Sequence, residues 1–172
     1  FPITVRPFGP PPVTVVLVDS TGAGIPGAVV SYYQSSWQPF GVTGADGRAR
    51  LALPAGSYSF RVELGGGAVQ KTQHTGTNPV VSFQTVNVLV RLRDSLGNAL
   101  DTGTADYYAG SWHSFGVTSG GEVRREMLPT SYSFAMTYLG GRVQVTQNVA
   151  LNAVVAFQTR LVSSRLRNSQ GA

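Results

Sequence analysis

Residues 32–43 read YYQSSWQPFGVT, and residues 107–118 read YYAGSWHSFGVT. The two stretches begin 75 residues apart, and the likeness continues outward from both until it covers nearly the whole chain. A sequence that repeats at such an interval is built from two copies of one structural unit. We therefore predict two tandem domains rather than the single domain that 172 residues would otherwise suggest.

Each copy consists of short alternations of apolar and polar residues, such as 13–17 and 58–62, separated by turn sequences such as 19–22 and 44–47. Alternation with a period of two places one side of a strand in a core and the other in solvent. Turns recur at intervals of about 8 to 12 residues, as they do in β-sandwiches, and no segment has a helical period. The sequence predicts an all-β chain of two Ig-like or transthyretin-like antiparallel β-sandwiches, with an extra strand at each chain end.

The domain organisation follows from the alignment of the two copies. Residues 160–172 align with residues 86–98, the opening strand of the second copy, so they resemble the first strand of an incomplete third repeat. Ile3 and Val5 alternate in a proline-rich stretch that favours extended backbone. We predict four segments: an extended arm or strand at 1–12, sandwiches at 13–85 and 86–159, and an orphan strand at 160–172.

One residue is missing from the second copy. The offset falls from 75 residues in the quoted stretch to 74 at Tyr132, which aligns with Tyr58. Aligning residues 128–129 with 53–54 places the deletion just after Pro129. A turn is expected there, and turns tolerate changes of length.

The first copy contains the turn 19–22 (DSTG), the segment 25–30 (IPGAVV) and the run 41–60 (GVTGADGRARLALPAGSYSF). This order of motifs resembles the carboxypeptidase-regulatory-like and Cna-B-like families of transthyretin-type β-sandwiches. The resemblance implies a secreted or surface protein used as a stalk or spacer, or in some relatives a carbohydrate-binding module. Some relatives cross-link a first-strand Lys to a last-strand Asn. The first strands of both copies lack Lys here, so we do not expect that bond.

Composition excludes several classes of function. The 13 basic and 8 acidic residues are spread along the chain, which argues against a nucleic-acid partner because nucleic acids need a concentrated basic face. Cysteine is absent, so disulfides and thiolate chemistry are excluded. No apolar run reaches the length of about 18 residues that a membrane-spanning helix needs, so we expect no membrane insertion. The start at Phe1 is expected of a processed product or an excised fragment, and a removed export signal would fit an extracellular or cell-surface location.

Residues for catalysis or metal binding are few, and we predict no enzyme activity, no cofactor and no metal. His74 and His113 do not recur in the other copy and have no carboxylate at a useful spacing, so we interpret both as solvated turn residues. Asp19 and Asp94 do recur, but a single carboxylate supplies too few oxygen ligands for Ca²⁺. Turns in which each Asp bonds its own backbone are the favoured interpretation.

The terminal segments give the first hypothesis of function. An orphan strand leaves backbone groups unpaired and an apolar face uncovered, and a neighbouring chain's sheet could satisfy both. We expect a structural subunit of an extracellular filament or surface stalk, a homopolymer assembled head to tail by strand addition. A segment cut from a longer array would carry the same strands. The residues expected to mediate polymerisation are Ile3, Val5, Phe8, Val162, Arg165, Leu166 and Arg167.

The repeated aromatic block gives the alternative, a carbohydrate-binding or adhesin module. Alternation places Tyr32 and Tyr33 on opposite faces, so one aromatic of each pair is expected to be exposed. We expect Trp37 and Phe40 to be buried in the core. The alternative is that Tyr33 and Trp37, and their counterparts in the second copy, are exposed and form flat platforms for sugar rings or for a partner protein. The candidate platform residues are Tyr33, Trp37, Tyr108 and Trp112.

Arginines mark the outward face of the first strands. Arg91 and Arg93 recur as Arg165 and Arg167. We interpret them as edge charges that discourage unwanted strand pairing. The alternative is that they pair with an acidic neighbour in an assembly.

Overall fold

The computed structural model describes residues 12–161, so the predicted extra strands at the chain ends lie outside the described residues. Fourteen strands are described in this range. The first seven are β1 (Pro12–Val18), β2 (Val29–Gln34), β3 (Ser36–Val42), β4 (Arg48–Ala52), β5 (Ser57–Leu64), β6 (Gly67–His74) and β7 (Val80–Gln84). The second seven are β8 (Val86–Arg93), β9 (Thr104–Tyr108), β10 (Trp112–Val117), β11 (Glu122–Met127), β12 (Ser131–Tyr138), β13 (Gly141–Asn148) and β14 (Val154–Gln158).

The strands form four sheets. In the first repeat, one sheet has the order β4, β1, β7 and the other has the order β3, β2, β5, β6. The second repeat has the same arrangement, with β11, β8, β14 in one sheet and β10, β9, β12, β13 in the other. The predicted fold class, all-β with two tandem sandwiches, is confirmed.

The sandwiches are not wholly antiparallel, however. The first and last strands of each repeat pair in parallel, β1 with β7 and β8 with β14. Two parallel neighbours run from the same end of a sheet to the other, so the chain enters each sandwich at one end and leaves it at the opposite end. Only Thr85 lies between β7 and β8. The second sandwich therefore begins where the first one ends.

Each sandwich has its own core, formed by the inward residues of its two sheets. Phe60 and Phe134 are fully buried. Each meets a second phenylalanine edge to face, Phe40 at 5.8 Å and Phe115 at 6.0 Å. Burying a side chain of this size contributes about 1.5 to 3 kcal/mol. One residue crosses between repeats: Leu128 follows β11 of the second sandwich but is fully buried in the core cluster of the first.

The deletion in the second copy lies in a different turn from the predicted one. The amide of Leu17 donates to the carbonyl of Gly47, and the amide of Leu92 donates to that of Gly121. Gly121 therefore replaces Gly47 at an offset of 74, and the strand registers agree. Both glycines have positive φ. A Cβ added at Gly47 would lie 2.3 Å from the carbonyl oxygen of Leu17, and one added at Gly121 would lie 2.8 Å from that of Leu92. The missing residue belongs to the turn before β11. The predicted position of the deletion, after Pro129, was wrong. It came from aligning two Leu-Pro pairs, at 53–54 and 128–129, whereas the strand pairing aligns Leu53 with Met127.

Asp19 and Asp94 form the predicted turns. The Asp19 carboxylate accepts backbone bonds from Thr21 and Ala23, and Asp94 accepts from Leu96 and Asn98. Side-chain hydrogen bonds, from Thr21 to Asp19 and from Asn98 to Asp94, are the main cause that lowers the pKa of each carboxyl below its ordinary value. The interpretation as self-bonded turns is confirmed.

The interpretation of Arg91 and Arg93 as edge charges was wrong. β8 is the central strand of its sheet, so these side chains guard no edge. Both bond one oxygen of Glu122 on the neighbouring β11, at 3.1 Å and 3.0 Å. The acidic partner lies within the same sandwich. Sequence alone could not tell a central strand from an edge strand because the two carry the same alternation.

No helix of the described residues is long and apolar enough to cross a membrane.

Candidate functional site

The residues predicted to mediate polymerisation lie outside the described part of the chain. They are Ile3, Val5, Phe8, Val162, Arg165, Leu166 and Arg167. Two other features can be described in atomic detail: the joint between the sandwiches and the repeated aromatic pairs.

The joint is formed where the β5–β6 hairpin of the first sandwich meets the second. The hydroxyl of Tyr107 donates a hydrogen bond to the carbonyl of Gly65 at 3.0 Å. A Cβ at Gly66 would lie 2.6 Å from the carbonyl oxygen of Ala109. A Cβ at Gly67 would lie 2.1 Å from the hydroxyl oxygen of Tyr132. Because glycine has no Cβ, the hairpin can approach the second sandwich more closely than it could with any other residue at these positions.

Glu126 on β11 collects hydrogen bonds from both sides of the joint. Its carboxylate accepts hydrogen bonds from the backbone amide and the hydroxyl of Ser20, from the hydroxyl of Thr85, and from the side-chain amide of Asn87. Partial burial raises the pKa of Glu126, but the bonds from Ser20, Thr85 and Asn87 together outweigh it and hold the pKa below its ordinary value of 4.5. One carboxylate thus ties the first sandwich, the linker and the second sandwich together.

Two further side chains close the joint. Leu128 packs into the first core, as described above, and its carbonyl accepts a hydrogen bond from the hydroxyl of Tyr132. Burial, and then the proximity of Tyr107, raise the pKa of Tyr132 to about 12. The tyrosine is therefore neutral and able to donate throughout the physiological range.

The second feature is a pair of exposed aromatic side chains in each repeat. Tyr33 and Trp37 lie directly opposite each other on β2 and β3, edge to face at 5.5 Å. Tyr108 and Trp112 occupy the same positions on β9 and β10, also at 5.5 Å. The exposed fractions of these four side chains range from 40% to 46%.

The expectation that Trp37 is buried was therefore wrong, whereas Phe40 is buried as predicted. Trp37 and Phe40 are three residues apart on β3, so alternation alone places them on opposite faces, and only one of them can face the core. The β2–β3 register shifts at Phe40, between the residues that face Ser31 and Val30. This shift changes the parity only beyond Phe40, where Val42 is 58% exposed.

An arginine lies over each tryptophan, and sequence reasoning missed both. The guanidinium carbon of Arg61 is 6.0 Å from the ring centre of Trp37, and that of Arg142 is 4.7 Å from Trp112. Arg61 also pairs with Glu63 at 2.7 Å, and Arg142 with Asp106 at 2.9 Å. The two arginines come from non-equivalent strands, β5 and β13, so comparing the repeats does not reveal them. The sequence contained one indication of this contact: Arg61 lies between the apolar residues Phe60 and Val62, so alternation places it on the outward face of β5.

The histidines form no catalytic arrangement in the described residues. His74 ends β6 and is exposed, whereas His113 lies on β10 and not in a turn. Its ring stacks on Tyr107 at 5.2 Å. Residues 12–161 contain no cluster of three or more His, Asp or Glu side chains that could hold a metal ion.

No protein-family model matches this sequence, and no curated protein matches it. Solved structures are similar in fold. Fervidolysin from Fervidobacterium pennivorans, a keratinolytic enzyme related to subtilisin, is similar over 78% of this chain and 28% of its own, at 13% identity and a TM-score of 0.39. The Bacillus anthracis TIE protein is similar over 87% of this chain and 33% of its own, at 17% identity and a TM-score of 0.35. This chain thus spans about a third or less of either protein.

The major pilin subunit BcpA of Bacillus cereus is similar over 86% of this chain and 97% of its own, at 9% identity and a TM-score of 0.34. Further pilin chains are similar at lower TM-scores. All these TM-scores are below 0.5, so the likenesses carry no argument about the function of this chain.

Proposed function

We propose that this chain is a structural segment of an extracellular filament or surface stalk, in which sandwiches follow one another head to tail. The observation that carries the proposal is the parallel pairing of the first and last strands in each sandwich. A unit that the chain enters at one end and leaves at the other extends an array in one direction. In this proposal the chain is a spacer without enzyme activity, and its partners are further copies of itself.

The joint supports the same proposal, because a spacer must resist bending. A linker of one residue, a leucine shared with the neighbouring core and a carboxylate bonded to both sandwiches leave little freedom for a hinge. Interfaces between domains are otherwise commonly small and mobile. We expect the two sandwiches to move as one stiff rod.

Strand addition remains our proposal for how copies connect. Every sheet in the described chain has edge strands, such as β7 and β14, whose outer backbone groups can accept another strand. The terminal segments 1–12 and 160–172 carry the alternating apolar residues that such a strand needs. Head-to-tail contacts of this kind are heterologous and produce filaments unless rotation closes a ring.

Removing the terminal segments tests this proposal. The full chain and variants lacking residues 1–8 or 160–172 would be compared by electron microscopy and sedimentation velocity. We expect filaments or oligomers from the full chain and a shift to monomers after either truncation. Filaments that persist undiminished in both truncated chains would rule out strand addition, and a full chain that never self-associates would rule out the filament.

A second candidate function, glycan binding, is favoured by the exposure of the Tyr–Trp pairs. Aromatic faces flanked by Arg and acidic side chains offer both stacking and hydrogen-bonding groups to a sugar. Trp37 borders a groove of about 420 Å³ that also includes Arg61 and Glu63. Recurrence of the pair in both repeats would let one polysaccharide contact two sites, which raises avidity.

A glycan array tests this second function on a double variant, Trp37→Ala with Trp112→Ala. We expect binding by the wild-type chain and its loss in the variant. The matched control is Val80→Ala with Val154→Ala, which alters two equivalent valines that are 39% and 37% exposed on β7 and β14, outside the groove. Absence of binding across a broad array, or equal loss in the control, would dismiss the platform.

A further inference from the structure

The end of the second sandwich at which the chain leaves it is the equivalent of the surface that the first sandwich uses at the joint. The β12–β13 hairpin, with Leu139 at its tip, corresponds to the β5–β6 hairpin, with Gly65 at its tip. Thr159 donates its amide to Arg93 as Thr85 does to Val18. The two ends therefore have the same backbone framework.

Within residues 12–161, the second end is uncovered where the first is covered. Gly67 is buried against Tyr132, whereas the equivalent Gly141 is exposed. Val69 packs on the first core, whereas the equivalent Val143 is 63% exposed. The exposed side of the second sandwich forms a groove of about 580 Å³ whose apolar lining includes Leu92, Met136, Tyr138, Val143, Val145 and Phe157.

Leucines replace small or polar residues at this end. Leu139 stands in place of Gly65 and is 89% exposed, and Leu96 stands in place of Thr21 and is 86% exposed. Leu139 also has a φ of 47°, in the left-handed region where Gly65 has 55°. Non-glycine residues in this region carry strain, which the surrounding structure must hold in place. Leu139 belongs to neither core cluster, so its apolar side chain is free to contact another molecule.

The entry end of the first sandwich also differs from its counterpart at the internal joint. At the joint, the second sandwich presents Arg125 and Glu126, and the equivalent residues of the first sandwich are Leu51 and Ala52. Ala52 is exposed. Charges are thus lost from the entry end of one sandwich, and apolar side chains are gained at the exit end of the other. The exit end of the second sandwich and the entry end of the first are therefore both less polar than the two faces that meet at the internal joint.

We propose that the exit end of the second sandwich binds the entry end of the first sandwich in another copy of this chain, through the two faces that meet at the internal joint. The separation is wider than at that joint, because a Cβ in the place of Gly65 would lie 2.9 Å from the tyrosine hydroxyl. This inference rests on the proposed filament and names the surface through which copies meet. Leu96 then lies near Ala52 of the next copy, and Leu139 near its Tyr32, because Ala52 and Tyr32 are the equivalents of Glu126 and Tyr107 at the internal joint.

End-blocked variants of the full chain test this surface by sedimentation velocity. Leu96→Asp with Leu139→Asn removes the apolar side chains from the exit end, and Ala52→Arg blocks the entry end. We expect each variant alone to self-associate at least tenfold more weakly than the wild type, because two leucines lose their apolar burial or a charge is trapped in it. Mixing the two variants should restore a dimer and nothing larger, because each then supplies one intact end.

Leu151→Thr is the matched control. Leu151 lies in the loop after β13, away from the exit end, and is 87% exposed. Its equivalent in the first repeat is Thr77. We expect it to associate like the wild type. Leu139→Asn alone should keep the melting temperature, since Asn tolerates the left-handed φ of this position better than Leu, so weaker association could not be attributed to unfolding.

The outcomes separate this inference from the filament proposal. A wild-type chain that stays monomeric overturns both. A wild type that associates while the exit-end variant associates equally well overturns only the surface. Loss of association in the exit-end variant, together with filaments that survive both terminal truncations, would support the surface and overturn strand addition.

Discussion

The hydroxyl of Tyr107 in the second sandwich donates a hydrogen bond to the backbone carbonyl of Gly65 in the first, at 3.0 Å. The rest of Tyr107 belongs to the second core, where its ring meets Phe115 and Tyr132 edge to face. One side chain therefore connects the packing of the second sandwich to the position of the first. Its hydroxyl is the part that acts at the joint.

Tyr107→Phe should weaken the joint and leave the second core intact. Losing one hydrogen bond of this kind costs about 0.5 to 1.5 kcal/mol. Denaturant unfolding would measure the loss, and Tyr32→Phe, at the equivalent position of the first sandwich, serves as the control. Equal destabilisation by both variants would mean that the hydroxyl at the joint has no special role.

Gly67→Ala should disrupt the joint, because its Cβ would overlap the buried hydroxyl of Tyr132. Forcing an extra methyl group into packed structure costs about 1 to 3 kcal/mol. Gly141→Ala makes the same change at the equivalent position, where the nearest atom is 3.5 Å away. Thermal unfolding and small-angle scattering should show a less stable, less extended chain for Gly67→Ala only. A Gly141→Ala variant that is equally destabilised would contradict the assignment.

Leu128→Ala should destabilise the first sandwich although the residue belongs to the second. Removing a buried leucine leaves a cavity and costs about 2 to 5 kcal/mol. Hydrogen exchange would locate the effect, and we expect faster exchange in β1 and β5 than in β8 and β12. Met127→Ala, one residue earlier and in the second core, should give the reverse pattern.

Acid should weaken the joint through Glu126. Its pKa is lowered in the folded chain, so its contribution to stability is present above the ordinary value of 4.5 and is lost as the pH falls through the lower folded pKa. Glu126→Gln should reduce stability at neutral pH and flatten its decline in acid. The free energy of unfolding, measured for both chains between neutral pH and pH values below 4.5, gives the difference. Parallel curves would show that this carboxylate is not linked to folding.

The repeats and their alternation were enough to predict fold class, because local patterns determine which side of each strand is buried. Val13, Val15 and Leu17 are buried as their parity predicts, and the turns at Asp19 and Asp94 form as expected. The exposure of Trp37 was missed although it lies three residues before the buried Phe40, a spacing that places the two side chains on opposite faces of β3. Arg61 and Arg142 were missed as partners of the tryptophans because they reach equivalent sites from non-equivalent strands.

By itself the sequence determined the two tandem β-sandwich repeats, since apolar period and turn chemistry are encoded within a few residues of each position. Only the tertiary structure decided that β1 and β7 pair in parallel, that Leu128 packs into the neighbouring core, and that Glu126 bonds across the joint. Each of these depends on contacts between segments far apart in the chain. Such contacts are set by how whole sheets pack, and the local pattern of any one strand is compatible with several of them.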